Sequence, residues 1–158
     1  MRIARADVDG APTWIGWVED AASAGVRAWH PIADPFAAFA SGVEAEVLGD
    51  AIADPALLAP CEPLVIAGIA QNRGQNDHPL PVQAWLKSPR TVVPSGADVV
   101  LRRDAGGTVV EAEVAVVIGS PVFQVPVERV MEHVLGYTAV NDVSQPERSA
   151  LDQRNFEA

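Results

Sequence analysis

The stretch VVEAEVAVVIG, residues 109–119, limits the fold more than any other part of the chain. It sets Glu111 and Glu113 in a run of Val, Ala and Ile, with nothing else polar before Gly119. The run reads as a long strand over 108–118. Side chains alternate along a strand, so Glu111 and Glu113 share a face about 7 Å apart. That face continues through the apolar Ala115 and Val117, and the opposite face is apolar throughout. Two arrangements satisfy this pattern. In one, the strand is half-exposed and the glutamates point into water. In the other, both faces are buried and the carboxylates meet a cation, because carboxylates are seldom buried unless paired.

The rest of the sequence narrows the choice. A chain of 158 residues, 49% of them hydrophobic, supports one modest domain or a domain with a small appendage. Its 13 prolines and 12 glycines favour many turns and short strands over long helices. A net charge of −10 repels phosphate backbones and anionic lipid, which argues against nucleic acid and membrane as partners. It leaves open a small anionic substrate held through a metal. Cys61 is the single cysteine, so there is no internal disulfide and no multi-cysteine zinc site. MRIARADVDG lacks the apolar core of a signal peptide, and no apolar run approaches a membrane span. The expectation is a soluble, cytoplasmic protein.

Along the chain, Asp9-Gly10 is a hairpin signal between the strands RIARADV and TWIGWV. ADPFAAFASG reads as a short helix with Asp34 as N-cap, Pro35 at its first position and Gly42 as its stop. Residues 43–63 are Ala-rich, are broken by Pro55, Pro60 and Pro63, and read as a connection. LVIAGIA is a buried-strand candidate, followed by a polar loop, QNRGQNDHPLP, of the kind that forms lids. AWLK, TVV and VVLRR read as short strands. VPVERVMEHVLG has helical spacing, with Gly136 as its stop, and YTAVNDVS returns to strand. The pattern predicts an α+β fold, mainly β.

In YTAVNDVS, Asn141 and Asp142 sit in an apolar context. They read either as an Asx turn ending a strand or as a third carboxylate meeting the other two. Three carboxylates together repel one another, and a divalent cation resolves the conflict. Oxygen-only ligation favours Mg²⁺ or Mn²⁺, with Ca²⁺ a third candidate. His30, His78 and His133 show no zinc-ligand spacing.

VVEAEVAVVIG, a helix and then GYTAVNDVS together resemble the core signature of the fumarylacetoacetate hydrolase (FAH) family. That signature is E-x-E-L-a-V-V-I-G followed by G-Y-t-x-x-N-D-V-S. GIAQN (68–72) and WLKSP (85–89) match the family's G-x-x-x-N and F-x-K segments. The opening MRIAR, the hairpin and LLAP (57–60) are similar to the small N-terminal domain of many members. The resemblance implies a small N-terminal α/β domain over 1–60. It implies the first part of an FAH-like mixed β-roll or sandwich catalytic domain over 61–158. It also implies that Glu111, Glu113 and Asp142 hold Mg²⁺ or Mn²⁺, and that the substrate is a small anionic 2-oxo acid or its enol. Lys87 matches a family lysine that would add positive charge for a carboxylate or enolate; the alternative is an exposed lysine at a strand end.

Two departures matter. Hydrolytic and decarboxylating members carry N-Y-x-x-H-x-x-E in the lid. Here Asn72 keeps the asparagine, Arg73 replaces the tyrosine, and Asn76 and Pro79 stand where histidine and glutamate are expected. His78 is two positions late, and no glutamate follows it; a shifted lid could still deliver it as a base. Family domains also usually continue past N-D-V-S, whereas this chain stops at LDQRNFEA, and an open sheet calls for a partner. The sequence therefore predicts a metal-dependent FAH-like enzyme for a 2-oxo-acid or β-dicarbonyl substrate. Its chemistry would be C–C hydrolysis, decarboxylation or enol–keto isomerisation, with the missing dyad favouring the non-hydrolytic options. It is expected as a homodimer or other homo-oligomer, or in complex with a chain that completes the domain. The alternative is a non-catalytic or split FAH-like subunit that binds metal, a partner chain or both.

Overall fold

Asp9 and Gly10 both take positive φ, 54° and 83°, the pair of left-handed residues that a two-residue hairpin turn demands. The Asp7 carboxylate accepts a hydrogen bond from Gly10 N at 2.8 Å and fixes the turn from within. In the computed structural model, which describes residues 1–21, 23–69, 84–101, 103 and 106–147, this turn joins β1 (Arg2–Val8) to β2 (Ala11–Glu19). The two strands are antiparallel, in register from Arg2↔Trp17 to Val8↔Ala11. β3 (Arg27–Pro31) pairs with β2, and the two-residue β4 (Ala56–Leu57) pairs with β1, giving the order β3-β2-β1-β4. β3 and β4 were not anticipated from the sequence. Both are short, and proline breaks the apolar periodicity around them.

Asp34 ends β-like backbone and starts α1 (Pro35–Ala40) as its N-cap, accepting from Phe36 N at 2.8 Å and Ala37 N at 3.4 Å. Pro35 at the first helical position sacrifices no hydrogen bond, since that N–H has no intrahelical acceptor. Phe36 packs at 5.7 Å on Trp14, whose other neighbour is the Arg5 guanidinium at 5.5 Å. Trp17 and Trp29, opposite one another in register, meet edge to face at 5.2 Å. Ala6, Ile15, Ile32 and Pro35 are among the buried apolar residues of the described chain.

The chain divides into two compact units, one of Met1–Cys61 with Ala112–Val140 and one of Glu62–Glu111 with Asn141–Ala158. In the second unit β5 (Ile66–Ile69) runs antiparallel to β6 (Ala84–Lys87), with Gly68 opposite Trp85. β7 (Val109–Ile118) and β8 (Val134–Ser144) form a further two-stranded sheet. The 120–133 connection is latched where Gly119 N donates to His133 O at 2.8 Å and Ser120 Oγ meets His133 Nδ1 at 2.7 Å. Gly119 itself is buried, and a Cβ there would press on Phe39 and Leu135, which explains a glycine at the end of the valine run.

Three expectations change. Val127–His133 forms a 3₁₀ helix rather than an α-helix. Valine at 127 and 130 loses rotamer freedom in a helix, and Pro126 at the cap supplies no side-chain hydrogen bond. TVV is not a strand, because Ser88 and Pro89 start a 3₁₀ turn over Pro89–Thr91. Val99–Leu101 is irregular and exposed, with no strand paired to it among the described residues. β7 also differs from a strand covered on both faces: Val110 is 66% and Val114 74% exposed.

Candidate active site

Period-two alternation along β6 turns Trp85 and Lys87 to the same side of the strand. Register then makes room for the indole. A Cβ on Gly68 would overlap the Trp85 ring, so a side chain there would push the indole from this place. With the ring seated there, the Lys87 ammonium lies 5.3 Å over its centroid, within cation–π range.

The same ammonium forms an ion pair with Asp142 Oδ1 and lies 3.5 Å from Val143 O. All of these residues belong to one compact unit. The side chains of Lys87 and Asp142 are 21% and 10% exposed, so little water screens the pair. A carboxylate so desolvated needs a facing positive charge, and Lys87 supplies it. Thr108 and Gly107, just before β7, are tied to the segment after β8. Gly107 N donates to Glu147 Oε1 at 3.2 Å, and Gln145 Nε2 donates to Thr108 Oγ1 at 3.5 Å.

The remaining predicted residues fall as follows. Glu111 and Glu113 lie on β7, exposed, and the boundary between the two units passes between them, after Glu111. No group of three or more His, Cys, Asp and Glu side chains stands close enough to hold a metal ion among the described residues. His78 and the lid around it lie outside the described residues. Glu111, Glu113 and Asp142 all offer carboxylate oxygens, the donor type a hard divalent ion takes, but Asp142 is paired with Lys87 and the two glutamates are exposed. The indole beside Lys87 was not singled out from the sequence. A tryptophan two positions before the lysine in a strand was the available signal, since i and i+2 share a face.

A β-dominated chain with a desolvated lysine–aspartate pair between two strand ends defines a class of scaffold, and comparison with known proteins identifies it. Residues 63–157 match the sequence profile described as fumarylacetoacetate (FAA) hydrolase C-terminal. The chain belongs to this family. Among solved structures it is similar to 5-carboxymethyl-2-hydroxymuconate delta-isomerase from Mycobacterium smegmatis, at 26% identity and a TM-score of 0.82, covering 100% of this chain and 62% of that one. It is similar to Cg1458 at 25% identity and a TM-score of 0.81, covering 99% and 58%. Fumarylacetoacetate hydrolase from Exiguobacterium antarcticum, at 22% identity and a TM-score of 0.71, covers 99% and 60% and shares the fold. The chain thus spans about three fifths of the length of these structures. No curated protein matches it.

Proposed function

We propose that the chain carries a metal-dependent active site for a small anionic 2-oxo-acid or β-dicarbonyl substrate. We further propose that keto–enol isomerisation or decarboxylation outruns C–C hydrolysis there. The observation that carries the reading is the Lys87 ammonium held on the desolvated Asp142, inside a family match that includes both residues. Glu111, Glu113 and Asp142 would hold Mg²⁺ or Mn²⁺, with Ca²⁺ a third candidate. Such an ion polarises a bound carbonyl and stabilises the charge of an enolate.

The chain's own residues would do the rest. Lys87 presents a fixed positive charge to a substrate carboxylate or enolate oxygen, with its ring and carbonyl neighbours limiting its motion. His78 is the candidate proton carrier of the lid. Isomerisation needs a proton removed from the carbon beside the carbonyl and returned at the other end of the enol system. Hydrolysis needs, in addition, an activated water, for which a positioned base supplies about 10²–10⁴-fold. The lid sequence lacks the His-x-x-Glu dyad that would provide it. The isomerase name of the M. smegmatis protein points the same way. The test compares keto–enol exchange of a 2-oxo diacid with hydrolysis of an acylpyruvate on one preparation. Exchange is expected to dominate. Efficient hydrolysis would overturn the preference, and its loss in His78→Ala would identify His78 as the base.

A second proposal concerns assembly. Large apolar residues on β7 and β8, among them Val110, Val114 and Tyr137, are exposed in the single chain. Exposed apolar strand faces favour association, so we infer a homo-oligomer or a complex with a polypeptide that covers these strands. Nucleic acid remains a poor partner for a chain of net charge −10. No helix among the described residues is long and apolar enough to cross a membrane.

A further inference from the structure

His30 on β3 is a buried imidazole with one nitrogen engaged and one not. Its Nδ1 lies 3.0 Å from Gly49 O. A carbonyl only accepts, so Nδ1 carries the proton of the neutral ring and donates it there. Backbone bonds on both sides hold that carbonyl in place. Leu48 N donates to Pro31 O at 2.8 Å and Ile52 N to Trp29 O at 2.7 Å, and Trp29 and Pro31 flank His30. The packing of the 48–52 segment on β3 thus sets the tautomer.

The consequence falls on the other nitrogen. Nε2 of this tautomer is a bare acceptor. His30 is 5% exposed, and its Nε2 is buried with no hydrogen-bond partner among the described residues. Asp20 Oδ1 faces it from 3.9 Å, on a side chain 18% exposed. Two acceptors therefore confront each other where water is scarce. The register adds no other charge: Gly16 stands opposite His30 on β2, and Ile3 opposite Gly16 on β1. Of the neighbouring carboxylates, Glu19 accepts from Gly25 N at 3.0 Å, and Asp50, next to Gly49, is exposed.

We propose that His30 and Asp20 form a proton-operated latch. A proton added at Nε2 turns the acceptor into a charged donor, which closes on the Asp20 carboxylate. Asp20 also anchors the connection from β2 to β3, because its N donates to Val26 O at 2.8 Å and its O accepts from Ser23 N at 3.1 Å. Closing the pair fastens this turn to β3 and, through Gly49, to the 48–52 segment. The contact exists while the imidazole is protonated and the carboxylate ionised, and it is lost as rising pH deprotonates the ring. Low exposure strengthens it, since little water screens the charges. Lys87 and Asp142 belong to the other compact unit and take no part.

The test is nitrogen NMR of the histidine rings in the full chain, with amide exchange at residue 20 and Val26, at about pH 8 and about pH 5.5. Wild type is compared with Asp20→Asn, which removes the charge. His30→Asn, the second variant, keeps an N–H for Gly49 O and cannot take up the proton. At the higher pH the ring should be the Nδ1–H tautomer, and at the lower both nitrogens should carry protons. Protection of the two amides, corrected for intrinsic exchange, should rise on acidification by about fivefold, the scale of a partly screened ion pair. Both variants should lose that rise. An Nε2–H tautomer at the higher pH, or a ring still neutral at the lower, overturns the latch. So does a wild type without the rise, or a rise that survives in either variant. If His30→Asn fails to fold, Asp20→Asn still reads the coupling, and the wild-type tautomer needs no variant.

Discussion

Two ion pairs on this chain show what desolvation does to a charge. Arg129 and Glu132 meet at 2.9 Å with side chains 63% and 57% exposed. The hydrogen bond from Arg129 holds the Glu132 carboxyl below its usual range, but water screens the pair, and Arg129→Ala should leave the urea midpoint unchanged. Lys87 and Asp142 exclude most of that water. Lys87→Met strands a desolvated carboxylate, and the expected loss in urea unfolding is about 1–3 kcal/mol, below the range for fully buried pairs. Added Mn²⁺ should restore part of it, because a ligand that binds the folded state stabilises it. Cys61 makes the same point with a neutral form. Burial pushes its thiol up, and the Arg5 charge offsets this in part. The thiolate is the reactive form, so alkylation of Cys61 should have its pH midpoint above that of free cysteine. A midpoint at or below it would contradict the burial seen here.

At the scale of elements, the features legible in the sequence are those fixed by local chemistry. Asp9-Gly10 specified the hairpin because its two positive φ angles suit few other residues. Asp34-Pro35 specified the start of α1 because cap and first position are set within four residues. Asp34→Ala should cost about 0.5–2 kcal/mol in thermal or urea unfolding, as expected for loss of an N-cap. A destabilisation indistinguishable from zero would show that tertiary packing alone holds this six-residue helix. The features that misled depend on distant partners. Val99–Leu101 has the residue types of a strand, but a strand exists only where another pairs with it. Val127–His133 has helical spacing, and its valines and uncapped start give a 3₁₀ helix instead. Glu111 and Glu113 were recognisable as unusual from their neighbours alone. Their environment was not, since burial is a property of what packs against the strand.

On the scale of the whole molecule, the family was legible from two short motifs in the right order, and the match over residues 63–157 agrees with that reading. The assembly was legible only as an expectation. Val110, Val114 and Tyr137 expose apolar surface on β7 and β8. Sedimentation should therefore show a dimer or larger species, or a complex with a covering chain. A monodisperse, fully active monomer would remove the need for one. Function at this scale turns on whether the carboxylates of β7 and β8 and the Lys87 charge act together on one substrate. The most direct measurement is hydrogen–deuterium exchange at the carbon beside the carbonyl of a 2-oxo diacid, followed by NMR with Mg²⁺ or Mn²⁺. Acceleration above the ion alone, lost in both Glu113→Ala and Asp142→Asn, is the predicted result. Exchange no faster than the ion alone, or acceleration that survives both substitutions, would contradict it.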